Sequence, residues 1–209
     1  MRLSQLFAVL GFVFFSINAF SETDTPPTET EIKKIGSIYL SLGKVSFDAK
    51  KASDAKIDDT ATYIRFGGEV ENDSLIYGGG MSLFQYRDGA GFDQYVQDLS
   101  GNTSTASSSA SSFNIYGEMG YAFVTSTGFR ADLIGGYEHI LESSRSIPNC
   151  SDCKKDNIDI KSGLYVSPRL RYVSNFGNTG HYTITLSYSK GIGGDVQNAT
   201  MLTFGFGGI

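Results

Sequence analysis

Residues 128–139 read GFRADLIGGYEH, a stretch in which apolar and charged side chains alternate. The apolar parity consists of Phe129, Ala131, Leu133, Gly135 and Tyr137. The charged parity consists of Arg130, Asp132 and Glu138. Because successive side chains of a β-strand point to opposite faces, this period of two predicts a strand with one apolar face and one charged face.

Strand-like segments of this kind recur along the chain. The predicted strands span 36–47, 61–72, 75–86, 112–123, 128–139, 160–173, 181–190 and 199–208. Each is close to the ~9–11 residues with which a tilted strand crosses a bilayer. The first segment is irregular, because Lys44 shares the parity of its apolar residues, and we predict a bulge near Gly43 that turns Val45 and Phe47 outward.

The connections between these segments alternate in length. Short connections cover 72–74, 124–127 and 174–180, whereas longer ones cover 48–60, 87–111, 140–159 and, as the shortest of this set, 191–198. Short periplasmic turns and longer external loops are typical of outer-membrane barrels. An even number of strands also predicts that both ends of the barrel chain lie on the periplasmic side.

The charged face decides whether the barrel is soluble or membrane-spanning, since alternation alone fits both. Its ionisable members are Arg65, Glu69, Glu71, Glu118, Arg130, Asp132, Glu138, Arg169 and Arg171. Arginines and carboxylates are nearly balanced, as an enclosed lumen requires, and aromatic residues lie near the ends of the apolar stripes. We therefore predict an eight-stranded antiparallel up-and-down transmembrane β-barrel with these nine residues in a polar lumen. A soluble lipocalin-like periplasmic barrel is the alternative.

The N-terminal residues predict export. Arg2 precedes an apolar run over residues 6–15, and Ala19-Phe20-Ser21 resembles a cleavage site. This run is too short for a membrane-spanning helix, so we assign 1–21 to a signal peptide, 22–34 to a flexible tail and 35–209 to the barrel. The formal net charge of −5, without a basic patch, argues against nucleic-acid binding.

Three segments carry a family resemblance. The opening IGSIYLSLG (35–43), FGGEVE (66–71) and the closing LTFGFGG (202–208) resemble the small OmpA/OmpX-type outer-membrane β-barrel superfamily. The chain differs in ending on Gly208-Ile209 rather than on an aromatic residue. The resemblance implies a monomer in the outer membrane of a Gram-negative bacterium. The implied partners are the barrel assembly machinery, outer-membrane lipid and lipopolysaccharide, with a structural or surface-interaction role.

No residues are assigned to catalysis, a cofactor or a metal. A lipid A-modifying enzyme would need a Ser activated by His, but neither His139 nor His181 begins a His-x-Ser motif. An interior as narrow as that of eight strands is expected to be packed with side chains, which limits transport. Adhesion through the external loops remains an open alternative.

Cys150 and Cys153 form a Cys-x-x-Cys motif at the tip of the third long loop. In an exported protein such a pair is expected to form a disulfide, here a loop staple, because the βαβ context of a redox motif and further zinc ligands are missing from the sequence pattern. Redox and metal functions are the alternatives.

We expect Cys150→Ser to leave barrel assembly intact. Because the disulfide closes a very short loop, its loss should lower the free energy of unfolding by less than the typical ~2–4 kcal/mol. The measurement is urea unfolding together with gel mobility of unheated samples, with Ser151→Ala as the control in the same loop. Loss of the fast-migrating folded band in Cys150→Ser alone would contradict a local role for the bridge.

Overall fold

A computed structural model describes residues 34–89, 95–97, 103–105, 108–126, 128–146, 156–176 and 180–208. Eight long antiparallel strands form a closed barrel in which each strand pairs with its neighbours in sequence and the first pairs with the last. The strands are β1 (Lys34–Phe47), β2 (Ile57–Asn72), β3 (Leu75–Asp88), β4 (Ser109–Ser126), β5 (Phe129–Ser146), β6 (Gly163–Phe176), β7 (Gly180–Ile192) and β8 (Val196–Gly208). The predicted fold class is confirmed.

The alternation in the sequence becomes an apolar exterior. Leu42, Leu202, Leu186 and Leu170 are cross-strand neighbours on four adjacent strands, and each is 41–55% exposed. The other strands contribute exposed side chains such as Val70, Leu83, Ile115 and Leu133. Soluble monomers seldom expose apolar patches larger than a few hundred Å². An apolar surface on all eight strands therefore contradicts the soluble lipocalin-like alternative.

Aromatic side chains mark one edge of this exterior. Tyr121 and Phe123 of β4 pack with ring centroids 5.0 Å apart, as do Phe129 of β5 and Tyr172 of β6, and Tyr172 continues to Tyr182 of β7 at 6.4 Å. All five rings lie near the short turns. Such a row matches the interfacial aromatic girdle of membrane barrels, because aromatic rings favour the headgroup level.

The predicted bulge near Gly43 is wrong. The pairing of β1 is regular from Gly36 to Ser46 on β8 and to Ser46 on β2, and it shifts only between Ser46 and Phe47. Val45 and Phe47 consequently point inward and are buried, while Lys44 is exposed on the outer face. This arrangement is possible because the loop end of the lumen is apolar and because Lys44 lies where the apolar exterior ends.

An apolar cluster fills the interior at the loop end. It contains Val45, Phe47, Ala52, Ile57, Ala61, Tyr63, Phe84, Tyr86, Ala110, Ile158, Ile160, Ala199 and Met201. Ile158 and Ile160 belong to the connection before β6, which begins at Gly163 and not at residue 160 as the sequence pattern predicted. The two isoleucines thus serve as a plug instead of a strand.

The described parts of the long connections contain short elements of secondary structure. A short helix, α1 (Ala49–Asp54), begins after Asp48, whose carboxylate accepts hydrogen bonds from the N–H groups of Lys50 and Lys51. Short strands Tyr95–Gln97 and Thr103–Thr105 pair with each other, and Asp156–Asn157 pairs with β5. The expected loop at 191–198 is instead a tight hairpin at 193–195 with Gly193 at φ 75°. Within the described residues, no helix is long and apolar enough to cross a membrane.

A tryptophan substitution tests the direction of the apolar face, since the protein has no native Trp. Leu133 is 48% exposed on β5, so a Trp introduced there should be quenched by bilayers of lipids brominated in mid-chain. Ser53→Trp, on the exposed surface of α1, is the control and should not be quenched. The measurement is steady-state Trp fluorescence after folding into vesicles. Equal quenching at both positions would refute a lipid-facing apolar surface.

Candidate functional site

Because side chains alternate between the two faces of a strand, the nine predicted ionisable side chains point into the barrel. They come from four strands: Arg65, Glu69 and Glu71 from β2, Glu118 from β4, Arg130, Asp132 and Glu138 from β5, and Arg169 and Arg171 from β6. Eight of the nine are buried, and Arg130 is half-buried. In the closed barrel β2 and β6 lie opposite each other, so their side chains approach across the lumen.

Glu118 is the centre of the network, with its side chain fully buried. Its Oε2 lies 3.1 Å from Arg65 Nη2 and 2.7 Å from Arg169 Nη2. The Tyr165 hydroxyl donates to the same oxygen at 2.8 Å, and the Tyr39 hydroxyl donates to Oε1 at 3.2 Å. A buried carboxylate pays for its desolvation only through such partners, so Glu118 with its two arginines forms one interdependent unit.

Aromatic rings surround Arg65. Its guanidinium lies 3.5 Å from the centroid of the Tyr116 ring, and its Nη2 donates to the Tyr165 hydroxyl at 2.9 Å. Two glycines make room for these rings: a Cβ at Gly67 would lie 2.1 Å from the Tyr116 hydroxyl, and one at Gly136 would lie 2.3 Å from the Tyr165 ring. At these two positions a larger residue would collide with a lumen tyrosine, so the glycines relieve crowding in the narrow interior.

A second group of ion pairs crosses the lumen towards the short turns. Arg171 binds Glu69, and Arg171 Nη2 lies 2.9 Å from Asp132 Oδ2 as an ion pair without hydrogen-bond alignment. Arg169 Nη1 lies 3.7 Å from Glu69 Oε2 and thereby links this group to Glu118. The sequence pattern placed these residues on one face, but only the closed barrel brings arginines of β6 to a carboxylate of β2.

Three of the nine residues, Arg130, Glu71 and Glu138, stand apart from these groups. Arg130 binds Glu71 nearer the turn end, with 14% and 9% of their side chains exposed. Glu138 pairs with none of the described arginines, although the sequence pattern suggested a charge-balanced set. It accepts instead from the hydroxyls of Tyr63, at 2.8 Å, and Ser82. The strands that face it near the loop end supply hydroxyl groups rather than guanidinium groups.

The remaining wall of the lumen carries small polar side chains. β7 contributes Thr183, Thr185, Ser187 and Ser189, and β1 contributes Ser41, all of them buried. Their small volume leaves space for the long arginines from the opposite strands. A cavity of about 10 Å³ between this wall and the arginines is large enough for one water molecule. Among the described residues, the long charged side chains and the small polar wall thus occupy most of the middle of the lumen, and the charges compensate one another.

Sequence reasoning missed a polar contact that joins the long loops. A bulge in β5 shifts its pairing with β4 between Phe113 and Asn114, so that Arg145 turns inward. Arg145 donates to the carbonyls of Ala55 and Lys56 at 3.2 and 2.7 Å. Its Nε lies 3.1 Å from Oδ1 of Asp88, the last residue of β3. The bulge reverses which side chains of β5 face inward. The alternation of residues along the sequence does not reveal such a reversal.

The two histidines of the sequence lie in different surroundings. His139 Nδ1 lies 3.1 Å from Ser162 Oγ, which also accepts from the Ile140 N–H at 2.9 Å. Ser162 thus completes the edge where the pairing of β5 with β6 ends, and no described carboxylate contacts His139 to orient it. His181 is buried at the start of β7. Among the described residues, no three potential metal ligands converge.

Cys150 and Cys153 lie outside the described residues. The predicted disulfide and its loop-staple role therefore stay a prediction, and the same holds for the predicted signal peptide at 1–21.

Comparisons with solved structures find small outer-membrane barrels. Neisserial surface protein A is 9% identical with a TM-score of 0.46, over 84% of this chain and 96% of that chain. Ail of Yersinia pestis, in complex with the heparin analogue sucrose octasulfate, is 14% identical with a TM-score of 0.48, over 84% and 96%. The N-terminal β-barrel domain of Pseudomonas aeruginosa OprF is 14% identical with a TM-score of 0.33, over 84% and 98%.

No protein-family model matches the chain, and no curated protein matches it by sequence. The likeness to these solved structures concerns the fold alone.

Two arginine substitutions test the network. Arg65→Leu leaves Glu118 buried with one cation fewer, so it should lower the free energy of unfolding by ~3–5 kcal/mol. Arg130→Leu should cost less, because water reaches both Arg130 and its partner. The measurement is urea unfolding of the barrel folded in detergent micelles, with Arg65→Lys as the control that keeps the charge. An equal loss for both leucine variants would contradict the central position of Glu118.

Proposed function

We propose that this protein is a sealed structural barrel of the outer membrane of a Gram-negative bacterium, without an open pore or a catalytic site. The observation that carries the proposal is the combination of an apolar exterior on all eight strands with an interior in which the described side chains pack against one another from the loop-end cluster to the network around Glu118. The assembly machinery would deliver it to the membrane, where it would act as a monomer.

Three layers of side chains support the absence of a pore. The apolar cluster closes the loop end, and the network around Glu118 occupies the middle. A smaller cluster of Ile76, Ala122 and Ile134 lies between that network and the turns. The other described cavities that border the lumen measure about 20 Å³ each, room for one or two water molecules. An ion with its hydration shell has no path through such a packing.

A surface-interaction role is the second candidate. The connection between β3 and β4 is long, and within it Tyr95–Gln97 and Thr103–Thr105 form their own two-stranded sheet. Loops on a rigid scaffold are where binding functions usually reside. A two-stranded sheet that is separate from the barrel sheet supports adhesion as a proposal of lower rank.

Planar-bilayer recording tests the sealed barrel. The protein, with insertion verified by the mobility shift of unheated samples and by resistance to alkaline extraction, should produce no stepwise conductance. The physical reason is that the interior lacks a continuous water path. A porin preparation inserted into the same bilayers serves as the positive control. Regular steps of constant amplitude from the verified barrel would refute the proposal.

A further inference from the structure

The exterior changes character at the loop end of β7, β8 and β1. The row of exposed leucines that includes Leu42, Leu202 and Leu186 is followed, two residues further along each strand, by Lys44, Thr200 and Tyr188. The next row consists of Ser46, Asn198 and Lys190. On β8 and β1 the lipid-facing leucines thus give way within one step to polar groups, whereas on β7 Tyr188 and Lys190 are followed by the exposed Ile192.

The register places the two lysines on either side of β8. Lys44 is paired with Thr200, and Lys190 is paired with Asn198, so the lysines are two strands and two residues apart. With strands ~4.8 Å apart and a rise of ~3.4 Å per residue, their backbones are about 12 Å apart. Both side chains are exposed on the outer surface, and neither forms an ion pair with a described carboxylate.

Asn198 positions the polar groups between the lysines. Its Oδ1 accepts from the Tyr188 hydroxyl at 2.7 Å and from Lys190 Nζ at 3.3 Å, and its Nδ2 donates to Ser46 Oγ at 3.4 Å. One amide therefore connects all three strands at the surface. The Lys190 ammonium has three donors, so the contact with Asn198 leaves it able to bind an anion.

The loops add further lysines near Lys44, Lys190 and Asn198. The Asp48 N–H donates to the Asp195 carbonyl at 2.9 Å, which ties α1, with Lys50 and Lys51, to the β7–β8 hairpin. Lys161 adjoins the same hairpin, since its N–H donates to the Asp195 carboxylate at 2.8 Å. Asp48 and Asp195 accept backbone N–H groups and keep their charge, and Asp54 and Asp159 lie in the same segments. The cations that distinguish the site are therefore Lys44 and Lys190 on the barrel wall.

We propose that Lys44, Lys190 and the polar groups between them bind the phosphate of a lipid headgroup in the leaflet that the loops face. The site adjoins the leucine row, as a site for an amphiphile must, and it offers ammonium groups where headgroups lie. Lysine is a common phosphate ligand, and basic side chains at a membrane surface attract anionic lipids. The inference rests on the proposed outer-membrane function, in which that leaflet contains the phosphorylated lipid A of lipopolysaccharide.

Lipid titration followed by native mass spectrometry tests this site. The whole barrel, folded in detergent, is titrated with lipid A and with chemically dephosphorylated lipid A. The double variant K44Q/K190Q should bind lipid A about 25-fold more weakly than the parent protein, from about fivefold per lysine. K44R/K190R should retain binding, and the control variant R87Q, which removes an exposed cation from β3, should bind as the parent does. Inorganic phosphate should not compete at millimolar concentration, because it lacks the acyl chains.

Two results would overturn the proposal: equal affinity of the parent protein and K44Q/K190Q for lipid A, or equal affinity of the parent protein for both lipids. Folding of every variant is verified separately in phosphatidylcholine vesicles by the mobility shift. A parent protein that folds there but shows neither preference refutes the phosphate site and leaves the outer-membrane function intact. A parent protein that never inserts refutes both.

Discussion

Closure of eight strands leaves an interior so narrow that the inward side chains must both fill it and neutralise one another. The arginines of β6 reach across the lumen to carboxylates of β2 and β4, and Glu118 is held by two guanidinium groups and two tyrosine hydroxyls. The low effective dielectric of such an interior makes an unpaired charge costly. The positions of the glycines and of the small hydroxyl residues on β7 follow from the volume that these long side chains require.

Closure of the barrel also determines the polarity of its outer surface. With polar groups confined to the lumen, the outward half of each strand is free to be apolar, and the leucine row across β6, β7, β8 and β1 shows this directly. Closure also pairs every strand on both sides, so the barrel wall has no edge that would need water. An apolar exterior and a fully paired backbone are together what a bilayer demands of a spanning structure.

The two ends of the barrel carry different kinds of side chains. Near the turns, aromatic rings from β4 to β7 line the exterior, whereas near the loop ends of β7, β8 and β1 the exterior carries lysines, hydroxyl groups and an amide. Inside, the loop end is apolar and is joined to the loops by Arg145 and Asp88. The loop end is thus closed internally by packing, while its outer rim presents polar chemistry to its surroundings.

Periodicity in the sequence was sufficient to predict the strands, their inward and outward faces and the closed barrel, because a side-chain period of two is a local property of the strand. It predicted which ionisable residues face the lumen but not their partners, since Arg171 and Glu69 are 102 residues apart and meet only through closure. The pattern also placed Val45 and Phe47 on the wrong face. A lysine within a row of apolar residues suggests a bulge, whereas in the structure the apolar row of β1 ends at Lys44. The inward turn of Arg145, the isolation of Glu138 among hydroxyls and the proximity of Lys44 to Lys190 were decided by register and by a single bulge. These depend on neighbouring strands and cannot be determined from any one segment.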